Sequence, residues 1–212
     1  NLQALLDQQA AGALGAEITA VLSNQPGAGA LERARAAGVP AQAVAPGDHA
    51  NRDAFDRALA EAVAAHEPDL VVLAGFMRIL GAPFVERFAG RTLNIHPSLL
   101  PAFRGLHTHR KALEVGCRLH GTTVHFVTAD LDAGPIVAQA AVRVHPDDTP
   151  DSLRARVQAR EHRLLPQAVR WFAEGRLEVE GNRVRVRDHG EPEGHLDGPA
   201  LEMDSEAAAT AR

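Results

Sequence analysis

Hydrophobic residues along this chain recur at two spacings, one typical of helices and one typical of strands. Residues 51–66 carry Phe55, Leu59 and Val63 four positions apart, which predicts a helix with one apolar face. Residues 69–74 then form an uninterrupted apolar run, which predicts a strand buried on both faces of a sheet. The succession repeats along the chain and predicts an α/β fold with a mainly parallel, Rossmann-like sheet and flanking helices.

The other elements follow the same two patterns. Expected helices cover residues 1–15, 29–38, 83–88, 107–115 and 149–174, and expected strands cover residues 17–22, 39–44, 91–96, 122–128 and 135–144. Residues 177–186, which Gly181 and Asn182 interrupt, predict a hairpin. The remainder is rich in Gly, Pro, Glu and Ala, so we expect a disordered tail over residues 188–212, after one domain at residues 1–187.

Composition narrows the classes of partner. The chain has 212 residues, 45% of them hydrophobic and 23% charged, which suits one globular domain. Its net charge of −5 and the lack of a Lys/Arg-rich block disfavour nucleic acid as a substrate. We expect no membrane partner, because no apolar stretch reaches the roughly 18 residues that cross a bilayer. Cys117 is the only cysteine, which excludes an internal disulfide and favours a reducing compartment such as the cytoplasm.

Candidate chemistry lies at the end of the strand expected at residues 91–96. Strand alternation places Asn94 and His96 on one face, and Pro97 ends the ladder where the chain enters a loop. The carboxylate of Asp132, within Leu-Asp-Ala-Gly-Pro, completes the set. An amide and a protonated imidazole can stabilise the oxyanion of an acyl transfer, and an imidazole titrates near neutral pH and can move protons. A neighbouring carboxylate favours the charged imidazolium.

Ordinary structural roles explain these residues when each is taken alone. Asn94 can be a turn-capping amide, and His96 can be a half-buried histidine with a hydrogen-bond partner. The long string Asn-x-His-Pro-Ser-Leu-Leu-Pro, with Asp132 38 residues after Asn94, favours a shared function instead.

Two other candidate motifs are weaker. Gly27-Ala-Gly29 begins like a dinucleotide-binding loop, but Glu32 stands where the third glycine is needed. Four histidines follow the Asn-x-His string without the cysteine or carboxylate partners of a metal ligand set, so no metal is expected. These four residues are His107, His109, His120 and His125.

Several motifs distributed along the chain carry a resemblance to a known family. They occupy residues 71–80, 93–101, 105–110, 120–128 and 131–135. On these motifs the chain resembles the phosphoribosylglycinamide formyltransferases, which transfer a formyl group from 10-formyltetrahydrofolate in purine biosynthesis. The resemblance covers the chain from Asn1 to about Gly175.

The resemblance implies roles for particular residues. Asn94, His96 and Asp132 match the family's catalytic asparagine, histidine and aspartate. The positions that match folate-binding residues are Arg52, Met77, Arg78, Ile79, Leu80, Val85, Asn94, Thr128 and Asp132, with the segment from Met77 to Leu80 lining the pterin pocket through backbone groups. The positions that match residues contacting the glycinamide substrate are Asn1, Pro97, Gln158 and Glu161.

The implied activity is transfer of the formyl group of 10-formyltetrahydrofolate to the amine of 5-phosphoribosyl-glycinamide. The implied partners are the folate and glycinamide ribonucleotide, and the chain is expected to be a monomer or a homodimer. Two alternatives stay open at this point. One is a 10-formyltetrahydrofolate deformylase, which hydrolyses the same donor, and the other is an inactive folate-binding protein.

The chain departs from the family pattern at its beginning. Members of the family start with an apolar strand and a Gly-x-Gly-Ser-Asn loop that holds the substrate phosphate, and only the final residue of that loop, Asn1, matches here. We therefore expect a fragment or a mis-started reading frame, in which the first, interior strand of the sheet is missing and phosphate binding is weakened.

Overall fold

A computed structural model gives the structure of residues 1–188 and 197–198, in which helices and strands alternate for most of the chain. The helices are α1 (Leu2–Ala10), α2 (Gly29–Ala36), α3 (Arg52–Ala64), α4 (Ala82–Arg87), α5 (Thr108–Glu114) and α6 (Pro150–Ala173). The strands are β1 (Val21–Ser23), β2 (Ala41–Ala43), β3 (Val71–Leu73), β4 (Thr92–His96), β5 (Leu119–Phe126), β6 (Ile136–Arg143), β7 (Leu177–Glu180), β8 (Arg183–Val186) and β9 (Asp197–Gly198). Every predicted helix and strand is present, with shifted ends.

The strands form two sheets. One contains β1 and β2, and the other runs in the order β3-β4-β5-β6-β8-β7, with β9 also paired to β6. The predicted α/β fold with flanking helices is confirmed, and the parallel pairs are β1–β2, β3–β4 and β6–β8. From β4 through β5 to β6 the pairing is antiparallel. The link between β5 and β6 contains no helix, and parallel neighbours would need a long crossover there.

Strand β3 differs from its expected environment. Its apolar run predicted burial on both faces, and that prediction is wrong, because all three residues of Val71–Leu73 are only half-buried. Within the described residues β3 pairs with β4 alone, so its other edge has no strand neighbour there. The expectation of a further strand ahead of Asn1 stays a prediction.

Helix α6 packs across β5 and β6 and supplies much of the main core. Trp171, Leu164 and Leu165 are fully buried among residues of β4, β5 and β6. The helix begins with a reciprocal cap, since the Thr149 side chain accepts from the Ser152 backbone N–H and the Ser152 side chain accepts from that of Thr149. The capped N-terminus stabilises α6, and its long apolar face packs the helix against the strands that carry the candidate site.

A second core lies between α3 and α4. Phe55 and Leu59 from α3 pack with Phe84 and Phe88, and the two phenylalanine rings from the α4 side lie 4.8 Å apart between centroids. Asn51 caps α3 by accepting a hydrogen bond from the Ala54 backbone N–H. This core supports the chain that runs from β3 to α4.

The C-terminal part of the described chain confirms the predicted hairpin, as β7 and β8 pair in antiparallel register. The tail expected to be disordered lies outside the described residues, apart from Asp188 and the two residues of β9, which pair with β6. Among the residues that the structure describes, no helix combines the length and apolar character needed to cross a bilayer.

Candidate active site

An open cavity lies where β3 and β4 meet the loops that follow β3 and β5. It encloses about 510 Å³ of space that is continuous with the solvent at its mouth. Its lining residues are Leu73, Phe76, Arg78, Ile79, Leu80, Val85, Asn94, His125, Val127, Thr128, Ala129, Asp130, Leu131 and Asp132. Apolar side chains form one wall, and polar groups gather at the end of β4.

The Asp132 carboxylate lies between His96 and Gly105, which belongs to the loop after β4. Its Oδ2 accepts a hydrogen bond from the Gly105 backbone N–H at 2.9 Å and lies 3.5 Å from His96 Nδ1. The other ring nitrogen, His96 Nε2, lies 3.0 Å from the carbonyl oxygen of Phe103. A carbonyl only accepts, so Nε2 carries a proton and Nδ1 faces the carboxylate. The imidazolium form of His96 can therefore donate on both sides.

The backbone of Asp132 is itself unusual, with φ at +48° in the left-handed region. That conformation costs a non-glycine residue about 1–2 kcal/mol. The hydrogen bond from Gly105 and the approach to His96 repay part of this cost. The strained turn thus aims the carboxylate at the histidine.

Asn94 is oriented by a residue that the sequence analysis left unassigned. His125 stands opposite it on β5, and His125 Nε2 lies 3.1 Å from Asn94 Nδ2. His125 Nδ1 lies 2.9 Å from the carbonyl oxygen of Phe126, so Nδ1 must donate and Nε2 must accept. Burial lowers the pKa of His125, which keeps the ring neutral at pH 7. Asn94 then donates one amide hydrogen to His125 and keeps its second for a ligand.

A bulge places His125 where it can do this. The register between β5 and β6 shifts between Val124 and His125. Bulges next to active sites commonly re-aim a side chain. No periodicity in the sequence shows the bulge, and only the pairing of Asn94 with His125 could have identified this histidine.

Among the predicted folate-binding residues, seven line the cavity: Arg78, Ile79, Leu80, Val85, Asn94, Thr128 and Asp132. The other two do not line it. The Met77 side chain points to solvent with 71% of its surface exposed. Arg52 instead donates from Nη2 to the carbonyl oxygen of Ile79 at 2.9 Å, so it contacts the backbone of the cavity wall.

Of the residues predicted to contact the second substrate, Asn1, Gln158 and Glu161 lie on or beside α6, and Pro97 lies in the loop after β4. Asn1 Nδ2 donates to Glu161 Oε2 at 2.8 Å, and Glu161 is buried on α6. Thr122 Oγ1 lies 3.0 Å from the carbonyl oxygen of His96 and 3.5 Å from Glu161 Oε1. Its single hydrogen goes to the nearer carbonyl. Gln158 lies on the exposed side of α6, one turn before Glu161.

The loop after His96 is held by hydroxyl groups from two elements. The Pro97 carbonyl accepts from Thr108 Oγ1 at 2.6 Å. Thr123 Oγ1 donates to the Ser98 carbonyl at 2.7 Å and accepts from the Leu100 N–H at 3.0 Å. Pro97 is therefore part of the framework behind His96, and its carbonyl oxygen accepts a hydrogen bond within that framework.

Two more histidines lie beside this framework. The rings of His109 and His120 meet edge-on with centroids 5.2 Å apart. Burial, and then the positive charge of His109, lower the pKa of His120 to about 4. Within residues 1–188 and 197–198, no group of three or more His, Cys, Asp and Glu side chains is arranged to hold a metal ion.

The sequence matches the family model described as formyl transferase over residues 1–169. A phosphoribosylglycinamide formyltransferase of Escherichia coli is 50% identical over 182 residues, which cover 86% of this chain and 86% of that protein. The crystal structure of glycinamide ribonucleotide transformylase 1 from Symbiobacterium toebii is 52% identical, with a TM-score of 0.87 and coverage of 88% of each chain.

A structure with the alternative activity is also similar, but less so. A formyltetrahydrofolate deformylase from Pseudomonas syringae is 30% identical, with a TM-score of 0.79, and the match covers 88% of this chain and 62% of that one. Identity and coverage therefore favour the likeness to the transferases over the likeness to the hydrolase.

Proposed function

Because the chain belongs to the formyl transferase family, we propose that it transfers the formyl group of 10-formyltetrahydrofolate to the amine of 5-phosphoribosyl-glycinamide. The observation that carries the proposal is that Asn94 and Asp132 line the cavity together, with His96 Nδ1 3.5 Å from the Asp132 carboxylate. This arrangement suits acyl transfer, in which an oxyanion forms next to a group that exchanges protons.

The proposed chemistry uses donors that are already oriented. The amine attacks the formyl carbon, and the carbonyl oxygen becomes an oxyanion that accepts the second amide hydrogen of Asn94. The His96 ring, whose Nδ1 lies 3.5 Å from the Asp132 carboxylate, adds positive charge beside the oxyanion when it is protonated. Such fixed donors typically contribute a factor of about 10² to 10³ in turnover.

Proton transfer completes the proposed step. The attacking amine must lose a proton, and the folate nitrogen that leaves must gain one. The Asp132 carboxylate is 9% exposed and lines the cavity, so it can accept the proton of the amine directly or through water. When the tetrahedral intermediate collapses, the bond between the formyl carbon and the folate nitrogen breaks, and that nitrogen takes up the proton as it leaves.

The folate ring is proposed to occupy the cavity between the wall formed by Phe76 and Ile79 and the loop from Thr128 to Asp132. Aromatic and aliphatic surface suits a flat pterin, and the backbone groups of the wall can recognise its polar edge. Arg52 is proposed to support this wall from outside the cavity, and Met77 contributes its backbone.

The second substrate is proposed to bind on the α6 side of His96. Glu161 is buried there and already accepts from Asn1, and a carboxylate in that position can accept from the amine or hydroxyl groups of glycinamide ribonucleotide. Gln158, one helical turn away and exposed, is proposed to add a polar contact. The cytoplasmic location and the monomeric or dimeric state stay predictions.

The test is an assay with 10-formyltetrahydrofolate, with and without glycinamide ribonucleotide. Formylation of the amine at a rate that depends on both substrates supports the proposal. Release of formate without the amine would identify a deformylase. Binding of the folate without either reaction would identify an inactive folate-binding protein.

A further inference from the structure

The cavity wall from Arg78 to Gly81 is fastened from behind by the first turns of α3. Arg52 Nη2 donates to the Ile79 carbonyl oxygen at 2.9 Å. The Arg78 guanidinium lies over the ring of Phe55, 5.0 Å from its centroid. Both contacts join the wall to a helix that does not itself line the cavity.

A buried carboxylate lies at the centre of these contacts. Asp56 is 3% exposed, and its Oδ2 is 3.6 Å from Arg52 Nε, one helical turn earlier. No hydrogen bond reaches this oxygen from the side chains and backbone that the structure describes. Because a buried carboxylate needs compensating charge, the Arg52 guanidinium is held where it meets Asp56 and the Ile79 carbonyl together.

The same carboxylate sets the position of the end of the wall. A Cβ placed on Gly81 would lie 2.5 Å from Asp56 Oδ2, so the backbone of Gly81 packs directly against the carboxylate. Gly81 is also the residue before α4, where the wall ends. The carboxylate of Asp56 therefore acts on both ends of the short segment before α4. It contacts Gly81 directly, and it is linked to Ile79 by the Arg52 side chain.

We propose that Asp56 is a positioning residue for the formyl-donor pocket, acting through Arg52 on Ile79 and by contact on Gly81. The inference rests on the proposed function, since it assigns this wall to the folate. Asp56 touches no substrate in this scheme. Its loss is expected to weaken donor binding and to leave the amine site and the Asn94, His96 and Asp132 arrangement in place.

The experiment measures the Kd of 10-formyltetrahydrofolate by titration without the amine, and the KM of each substrate at saturation of the other. For Asp56→Ala the donor Kd and KM are expected to rise about tenfold, which corresponds to the loss of about 1.4 kcal/mol of binding free energy. The KM for glycinamide ribonucleotide is expected to stay within about twofold, as is kcat. Asp53→Ala, an exposed aspartate in the first turn of the same helix, is the matched control.

A double variant shows whether Asp56 acts through its neighbour. Arg52→Ala with Asp56→Asn should bind the donor no more weakly than Arg52→Ala alone, because coupled residues are not additive. Additive losses would overturn the route through Arg52. An unchanged donor Kd in Asp56→Ala, or equal losses in both KM values and kcat, would overturn the positioning role.

Two other outcomes, a variant that does not fold and a protein that does not transfer the formyl group, still leave a test of Asp56. If Asp56→Ala does not fold, Asp56→Asn, which keeps the shape of the side chain, decides by the same donor Kd. If the unaltered protein binds the donor but transfers no formyl group, the proposed function fails while the donor Kd of the variants still tests Asp56.

Discussion

Asn94 and His125 lie opposite each other on antiparallel strands, and the Asn94 amide nitrogen is 3.1 Å from His125 Nε2. The direction of this hydrogen bond is set by the Phe126 carbonyl, which accepts from the other ring nitrogen. A neutral histidine on one strand thus determines which way an amide on the next strand points.

Replacing His125 is therefore expected to reduce turnover without removing a group that reacts. In His125→Leu the Asn94 amide loses its acceptor and can rotate, so kcat is expected to fall about tenfold or more, which is part of the factor of about 10² to 10³ that a fully oriented oxyanion donor contributes. His125→Gln, which can offer an acceptor oxygen, should recover part of the loss. Equal activity of His125→Leu and the unaltered protein would contradict the assigned orientation.

The two groups proposed to take part in the reaction, His96 and Asp132, should be more sensitive to substitution. His96→Ala and Asp132→Asn are each expected to lower kcat by about 10² or more, because one removes the imidazole and the other removes the carboxylate proposed to accept the proton of the amine. His145→Ala, an exposed histidine distant in sequence, serves as the control. Steady-state assays with both substrates measure the effect, and activity near that of the unaltered protein in either variant would exclude the mechanism.

Gly134 is needed for a close approach between two stretches of backbone. A Cβ at this position would clash with the Phe126 carbonyl oxygen. Gly134→Ala must therefore move the turn that carries Asp132. The expected loss is about 1–3 kcal/mol in the free energy of unfolding, together with weaker donor binding. Urea unfolding and donor titration measure the two effects. Gly29→Ala, where the added carbon meets no atom within 4 Å, should change neither.

The pH dependence of stability should report on His120. Burial and the charge of His109 lower its pKa from 6.5 to about 4, so the unfolded chain binds a proton there before the folded protein does. The contribution of His120 to stability is therefore constant above pH 6.5 and declines as the pH falls from 6.5 to about 4. The slope from this residue is at most about 1.4 kcal/mol per pH unit.

The comparison that isolates this effect uses His120→Asn. Two other histidines, the half-buried His109 and the buried His125, also have lowered pKa values and add slopes of the same sign. The difference in unfolding free energy between the unaltered protein and His120→Asn should therefore shrink as the pH is lowered from 7 to 4. A difference that does not change with pH would contradict a neutral, buried His120.

Local sequence patterns predicted the helices and strands of this fold, because the residues that an element buries recur at the spacing of that element. The spacing of Phe55, Leu59 and Val63 identified α3, and the Gly181-Asn182 interruption identified the hairpin. Burial of β3 could not be predicted in the same way. An apolar run shows what a strand can bury, but the number of strand neighbours decides what it does bury, and neighbours come from distant parts of the chain.

By itself, the sequence determined the candidate chemistry of this protein. Asn94 and His96 share a strand face because side chains alternate, and with Asp132 they predict acyl transfer. The resemblance carried by the motifs along the chain narrows that prediction to formyl transfer. Only the tertiary structure decided how these groups are aimed. The bulge beside His125, the left-handed turn at Asp132 and the carboxylate of Asp56 behind the wall all depend on contacts between residues far apart in the chain. Strand pairing and backbone packing create those contacts, and the local spacing of hydrophobic residues does not predict them.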